Sequence, residues 1–281
     1  MDQGGINITF NLKINPEETI TIIGEFLKTY IENAHAHGVV IGLSGGIDSA
    51  VTAVLCNNIL GPEKTLCIFM PDETTPSSDD KHQAKLIEKF NLQSIEIEIS
   101  PIIRRFNSVM IDELNKEQLA NIKARTRMII LYHHAFIHKR LVCGASNKSE
   151  VLTGYYTKYG DGGADIQPIA DLYKTQVYQL AQHLKIPKPL LIKPPTAGLW
   201  QGQTDEQELG MSYATLDQIL YGLELKYTNT QIAKEVNLSE DEVERIRQLR
   251  IRSQHKRRLP LIPKFGIRTP GFDWRVPVQE G

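Results

Sequence analysis

The sequence predicts an α/β protein built on a doubly wound parallel sheet, with helical additions at both ends. Two observations predict it. Short apolar runs, Val39–Leu43, Thr65–Met70 and Leu141–Gly144, alternate with segments whose apolar residues recur at helical spacing. A glycine-rich turn, Ser44-Gly45-Gly46, joins the first run directly to a helix.

Each element has its own signal. Pro16–His37 is an amphipathic helix carrying Ile20, Ile23, Phe26, Leu27, Tyr30 and Ile31. Val39–Leu43 (VVIGL) is a buried strand. Ile47, Ala50, Val51, Val54 and Leu55 then follow helical spacing. Thr65–Met70 (TLCIFM) is a second strand. Ser77–Phe90 is a polar-faced helix with Ser77, Ser78 or Asp79 as N-cap. Ser94–Ile99 (SIEIEI) alternates with period two and is a third strand. Lys116–His138 is a long helix, and Leu141–Gly144 a fourth strand. Asp171 is the expected N-cap of a helix with Lys174 in its first turn. Helical pattern returns at Tyr213–Glu224 and Thr228–Arg252, between proline clusters. No internal repeat stands out, and residues 1–281 read as one domain.

Of the 281 residues, 41% are hydrophobic and 23% charged, which excludes a disordered chain. The net charge of −1 excludes a global polyanion binder but leaves room for a local basic patch. No apolar run approaches the roughly 20 residues of a membrane span. Met1–Phe10 is polar and unlike a secretory signal. Cys56, Cys67 and Cys143 each lie in an apolar stretch and read as small buried hydrophobes in a reducing, cytoplasmic compartment.

The sharpest motif is Gly42-Leu43-Ser44-Gly45-Gly46-Ile47-Asp48-Ser49, a strand end, turn and helix start. Adjacent glycines let the backbone approach an anion, and helix-start N–H groups point toward it. An ordinary tight turn with a serine cap gives a similar pattern. Here the loop also carries Asp48, and a carboxylate beside phosphates implies a cation between them, Mg²⁺ being the expected one. The GxxxxGK[ST] pattern of a Walker loop is absent. A second constellation, Leu141–Val177, holds a strand end, Asn147-Lys148-Ser149-Glu150, a glycine-rich stretch and a helix start. Ligands of an open parallel sheet bind beyond the carboxyl ends of the strands, so Asp48 and Glu150 can share one cation. Taken singly, Glu150 also reads as a solvated loop carboxylate and Lys174 as a surface lysine. Lys158, Asp161 and Asp165 read equally as turn residues.

SGGIDS resembles the pyrophosphate loop of the N-type ATP pyrophosphatases, which cleave ATP between the α and β phosphates. The run LVCGASNKSEVLTGYYTKYGDGGADIQPIADLYKTQV resembles the NAD synthetase motif within that group. So do Asn121–Met128, Pro195–Trp200, Thr204–Gly210 and His255-Lys256-Arg257, and the likeness spans about residues 16–263. It implies an adenine nucleotide alpha-hydrolase-like fold and a cytoplasmic homodimeric ligase. The implied reaction converts nicotinate adenine dinucleotide (deamido-NAD) to NAD through an acyl-adenylate, using ATP, Mg²⁺ and ammonia. By position, Gly42, Leu43, Ser44, Gly45, Gly46, Ile47, Asp48, Ser49, Ala145, Lys174 and Thr196 bind ATP. Asp48 and Glu150 hold Mg²⁺, and Asp48 and Lys174 act in catalysis. Arg125, Lys158, Asp165, His255 and Lys256 bind deamido-NAD, and Asp165 is also a candidate to bind ammonium. Many family members have threonine where this chain has Ala145, which offers only backbone groups there.

Alternatives within reach of the first loop are another amidotransferase synthetase, such as a GMP synthetase-like domain, or a nucleotide-binding module without catalysis. Arg245–Arg258 carries seven Lys or Arg, after a stretch with helix-turn-helix rhythm. It reads as a nucleic-acid-binding module, as a solvated helix paired with nearby carboxylates, or as part of the substrate site. Net charge favours the last two, so no nucleic-acid partner is expected. Thr196–Gly210 is expected to form a lid. The roughly 38 residues before the first strand are too few for a glutaminase domain. Ammonia is therefore expected as nitrogen donor, free or from a separate glutaminase.

Overall fold

The computed structural model describes residues 10–196, 198, 200 and 202–267. Four parallel strands, β1 (Val39–Leu43), β2 (Thr65–Phe69), β3 (Ser94–Glu96) and β4 (Leu141–Cys143), form one sheet in the order β3-β2-β1-β4. Val39 lies opposite Thr65 on one side and Leu141 on the other. The helices in chain order are α1 (Pro16–Asn33), α2 (Ile47–Leu60), α3 (Ser77–Phe90), α4 (Ser100–Val109), α5 (Lys116–His138), α6 (Lys148–Thr153), α7 (Lys174–His183), α8 (Lys188–Ile192), α9 (Asp205–Leu209), α10 (Tyr213–Glu224), α11 (Asn229–Val236) and α12 (Glu240–Arg252). Among the described residues, none is long and apolar enough to cross a membrane.

Strand alternation explains why the apolar runs are unbroken. Val39, Ile41, Leu43, Cys67, Phe69 and Cys143 face one layer, where α1, α2 and α7 cover them with Leu27, Val51, Val54, Val177 and Leu180. Val40, Leu66, Ile68, Met70 and Val142 face the opposite layer, beneath Ile103 of α4 and Leu119, Ile122 and Ala135 of α5. Both faces are dry at β1, β2 and β4, whose positions are apolar apart from Gly42 and the buried Thr65, whereas the edge strand β3 (Ser94–Glu96) is exposed. A separate cluster sits C-terminal to the sheet, where α10, α11 and α12 pack Leu216, Ile219, Leu220, Ile232, Val243 and Ile246 on Tyr173.

The expected helices Lys116–His138 and Tyr213–Glu224 are found with those bounds. Other expectations need correction. The first helix stops at Asn33 rather than His37, because His35 and Gly38 take positive φ and turn the chain into β1. The third strand ends at Glu96. Ile97 and Ile99 still donate N–H bonds to Phe69 and Pro71, but the backbone at Ile99 is already αR and opens α4. Pro76, not a serine or Asp79, is the α3 N-cap. Tyr173, not Asp171, precedes α7, and Asp171 pairs instead with Lys148 at 3.0 Å. Thr228–Arg252 is two helices, separated where Asn237 adopts the left-handed conformation and Ser239 caps α12. Neither α4 nor α6 was expected.

The three cysteines are free and buried, as expected, and the Sγ atoms of Cys56 and Cys143 are 3.8 Å apart. The neighbouring Cys143 thiol and burial push the Cys56 thiol up, and burial pushes Cys67 up to about 12. Both therefore remain protonated and unreactive near neutrality.

The C-terminal helices lock onto the sheet layers at Gly154, the α6 C-cap. Its φ is +70°, and a Cβ there would lie 2.3 Å from Cβ of Ser253. Gly154→Ala is predicted to destabilise the fold by at least about 1–3 kcal/mol, the cost of a left-handed alanine before any clash is counted. An unchanged urea midpoint would refute this account of the packing.

Candidate active site

The carboxyl ends of β1, β2 and β4 open into a cavity of about 220 Å³. Strand order reverses between β1 and β4, which is where an open parallel sheet forms its crevice. Ser44, Gly46, Asp48 and Ser49 line one wall, and Glu150, Lys174, Thr196 and Asp205 another.

The glycine-rich turn is shaped by its own hydroxyls. Ser49 Oγ accepts from the Ser44 N–H at 3.2 Å and donates to the Gly46 carbonyl at 3.1 Å. Gly46 N–H donates to Ser44 Oγ at 3.3 Å. Gly45 has φ +75°, and a Cβ there would lie 2.9 Å from Cγ of Asp79. Glycine is required on both counts. The turn delivers the first N–H groups of α2, which lack intrahelical partners, to the cavity. Lys193 steadies it from outside, donating to the Gly45 carbonyl at 3.1 Å and to Asp79 at 2.7 Å.

Opposite the turn, Asn147-Lys148-Ser149-Glu150 is a capping box. The Asn147 side chain accepts from Glu150 N–H at 3.0 Å, and Glu150 Oε2 accepts from Asn147 N–H at 3.3 Å. Glu150 Oε1 is left facing Lys174 Nζ at 3.5 Å. Lys174 Nζ also donates to Asp48 Oδ2 at 2.5 Å, and Asn147 donates to Asp48 Oδ1 at 3.0 Å. One ammonium thus lies between two carboxylates brought from separate helix starts. Tyr213 adds its ring at 5.0 Å from Lys174 Nζ. Asp205, buried at the start of α9, accepts from the Tyr155 and Tyr213 hydroxyls at 3.2 and 3.3 Å.

Electrostatics follow from crowding. Burial and the neighbouring Asp48 carboxylate push Glu150 up to about 8, against the pull of Lys174. Burial raises Asp205 as well. Burial alone would lower Lys174, but Asp48 and Glu150 reverse that and keep it an ammonium.

The far wall contains a second buried ion cluster. Asp72 meets Lys123 Nζ at 3.2 Å and Arg127 at 2.9 Å, and Arg127 lines the cavity. Burial pushes Asp72 up, yet hydrogen bonds from Thr74 and the two cations outweigh it and hold it below the usual range.

The structure therefore gathers Gly42, Leu43, Ser44, Gly46, Asp48, Ser49, Ala145, Glu150, Lys174 and Thr196 around one cavity, with Gly45 and Ile47 completing the turn. Ala197, Leu199 and Gln201 of the expected lid lie outside the described residues. Arg125, Lys158, Asp165, His255 and Lys256 do not line this cavity. Arg125 reaches the Lys158 carbonyl at 3.3 Å. Lys256 Nζ is engaged by the Gly154 and Tyr156 carbonyls at 2.6 and 2.7 Å. Both Asp165 oxygens are taken, by Val142 N–H at 2.8 Å and the Tyr132 hydroxyl at 3.2 Å. The cavity carboxylate of the glycine-rich stretch is Asp161, which accepts from Thr157 N–H at 2.9 Å. Sequence reasoning left it as a turn residue, and it missed Asp72, Arg127, Tyr155 and Asp205. Lys256 and Arg257 turn inward, Arg257 capping α6 through the Val151 and Leu152 carbonyls at 2.9 Å.

The sequence matches the NAD synthase family model over residues 19–260. It is 45% identical to the NH(3)-dependent NAD(+) synthetase of Pyrococcus furiosus, over 90% of this chain and 96% of that protein. Its fold is similar to the solved structure of an NMN synthetase from Francisella tularensis, with TM-score 0.81 and 38% identity over 90% of this chain and all of that one. It is also similar to the NH3-dependent NAD synthetase of Campylobacter jejuni, with TM-score 0.75 and 28% identity over 90% of this chain and all of that one.

Lys174→Met would leave Asp48, Glu150 and Asp205 facing one another without that cation. A carboxylate raised in the folded state keeps a proton that the unfolded chain has lost, so stability falls as pH climbs from the ordinary 4.5 toward about 8. The variant, free of nucleotide, is predicted to lose melting temperature between pH 5 and 8 more steeply than the parent. Parallel profiles would contradict the burial account.

Proposed function

Because this chain belongs to the NAD synthase family, we propose that the cavity around Asp48, Glu150 and Lys174 performs both half-reactions of the family's chemistry. The activity is ATP-dependent amidation of deamido-NAD by ammonia, a ligase reaction forming a carbon–nitrogen bond. The observation that carries the site assignment is the Lys174 ammonium held between Asp48 and Glu150, directly across from the glycine-rich turn.

A carboxylate is a poor electrophile until its oxygen is converted to a leaving group. The nicotinate carboxylate oxygen attacks the α-phosphorus of ATP, the Pα–O bond to the β-phosphate breaks, and pyrophosphate departs with the electron pair. Ammonia then attacks the acyl carbon and AMP leaves. The α2 N–H groups, with Ser44 and Ser49, cradle the phosphates, and Lys174 faces the charge that collects on pyrophosphate. Asp48 and Glu150 are hard oxygen donors of the kind Mg²⁺ takes and would hold it from the cavity side, since Lys174 Nζ fills the point between them. Bound there, Mg²⁺ supplies further neutralisation of phosphate charge. Asp161, which lines the cavity, is better placed for the ammonium than Asp165, whose oxygens are spent on Val142 and Tyr132. Thr196 and the backbone at Ala145 complete the ATP wall. Arg125, Lys158, Asp165, His255 and Lys256 are assigned to the dinucleotide by family position.

The chain is read as one domain, acting in the cytoplasm on ammonia that is free or supplied by a separate glutaminase. A homodimer is supported by an apolar stripe on α5, where Ile129, Phe136 and Ile137 are 63%, 86% and 54% exposed, beside Phe106 and Val109 of α4. The N-terminal helix α1 spends Ile23, Leu27 and Ile31 on the core. Phe136→Asp is predicted to shift sedimentation from dimer to monomer. A parent chain that sediments as a monomer would sink the dimer.

The likeness to a solved NMN synthetase favours a second reading, in which the mononucleotide is the product. Purified chain should be given ATP, Mg²⁺ and ammonium with deamido-NAD, nicotinate mononucleotide or xanthosine monophosphate. NAD, AMP and pyrophosphate are expected in equal amounts from the first, and Asp48→Asn should lower the rate about 100-fold or more. Turnover of the mononucleotide alone would establish the second reading, and near-parental turnover by Asp48→Asn would overturn the site assignment.

A further inference from the structure

A buried carboxylate outside the cavity bonds to both helix starts that supply Glu150 and Lys174. Asp217 lies on α10, in the helical layer C-terminal to the sheet, and is 0% exposed. Ser149 Oγ donates to its Oδ1 at 2.5 Å, and Thr175 N–H donates to its Oδ2 at 2.8 Å. Ser149 Oγ in turn accepts from Lys174 N–H at 3.0 Å. Ser149 immediately precedes Glu150, and Thr175 immediately follows Lys174. The first turns of α6 and α7 therefore converge on one side chain, from behind the residues that face Asp48.

We propose that Asp217 is a positioning residue for the amidation reaction, setting Glu150 and Lys174 against Asp48 through Ser149 and Thr175. This inference rests on the reading that Lys174 and Glu150 form the working face of the cavity. Its neighbours in the helical layer, Leu216, Ile219 and Leu220, are apolar and buried. Adhesion alone would be served by another apolar side chain, since burying a carboxylate is costly. A carboxylate with two directional bonds does what apolar contact does not, fixing the rotation and height of both helix starts. Lys174 needs that control, because its long side chain has to place Nζ within 2.5 Å of Asp48 and 3.5 Å of Glu150. The outer tie between the same helices, from Glu224 to Lys148 and Tyr173, lies farther along α10 and is partly exposed.

The test uses the full chain with saturating ATP, Mg²⁺, deamido-NAD and ammonium. Asp217→Asn keeps shape and one acceptor but cannot accept both bonds. It should lower kcat at least tenfold, with KM for both nucleotides within about threefold and the melting temperature within a few degrees. Ser149→Ala should do the same, and the double variant should be no worse than the poorer single one, since both break one bridge. If Asp217→Ala fails to fold, these shape-preserving variants still decide. A kcat within twofold of the parent, a rise in KM alone, or additive losses in the double variant would overturn the proposal. Lys174→Met, measured in parallel, separates the two readings. If it is inactive while Asp217→Asn is normal, only the role of Asp217 fails. If it retains parental kcat, the reading of the cavity fails.

Discussion

The buried ammonium of Lys174 is the constraint on which the rest of the site depends. A lone lysine charge in this position would be expelled or neutralised, and a pair of adjacent carboxylates would repel. Each is tolerable only with the other. Asp48 arrives from the first turn of α2, Glu150 from α6, and Lys174 from α7. Three helix starts must therefore meet within hydrogen-bond distance. Such a meeting point exists beyond the carboxyl ends of parallel strands, which all point the same way. The phosphate turn, the capping box and the carboxylate brace on α10 are each local solutions to that one electrostatic requirement.

The sheet supplies the platform. With both faces dry, β1, β2 and β4 carry no polar alternation, and their odd and even positions answer to different helical layers. Chemistry is accordingly displaced to the strand ends and to the turns that follow. This division of labour explains why Asp48, Asp79, Glu150, Lys174 and Asp205 all enter the cavity from the first turns of their helices. The sulfur atoms of Cys56 and Cys143 belong to the apolar layer beneath.

Much of this was legible in the residues. Uninterrupted apolar runs marked β1, β2 and β4 as doubly covered strands. Long periodic segments gave α5 and α10 to the residue. Adjacent glycines marked the turn between β1 and α2, whereas the capping box of Asn147 and Glu150 went unread. Short elements were harder. α6 has six residues and no periodicity to detect. α4 begins at Ser100 within an alternating run, where strand and helix signals overlap. The choice between Asp161 and Asp165 was illegible for another reason. Both lie in one glycine-rich stretch, and only the fold decides which one has its oxygens consumed by a strand N–H and a tyrosine. Asp171 looked like a cap because it is acidic and well placed, yet Lys148 offered it a charged partner instead. Asp205 and Asp217 gave no local signal, since their partners come from distant segments.

The strand order also has a kinetic meaning. Asn147 and Asp48, which bond across the cavity, are 99 residues apart in the chain. Their approach waits for β4 to dock beside β1, a closure much longer than the one that pairs β1 with β2. Long closures come late, because their entropy has to be met by structure already formed. A nascent chain with β1 and β2 in place thus has the glycine-rich turn but neither Glu150 nor Lys174 beside it. The charged cluster of the cavity is complete only once β4 and the helices after it have docked.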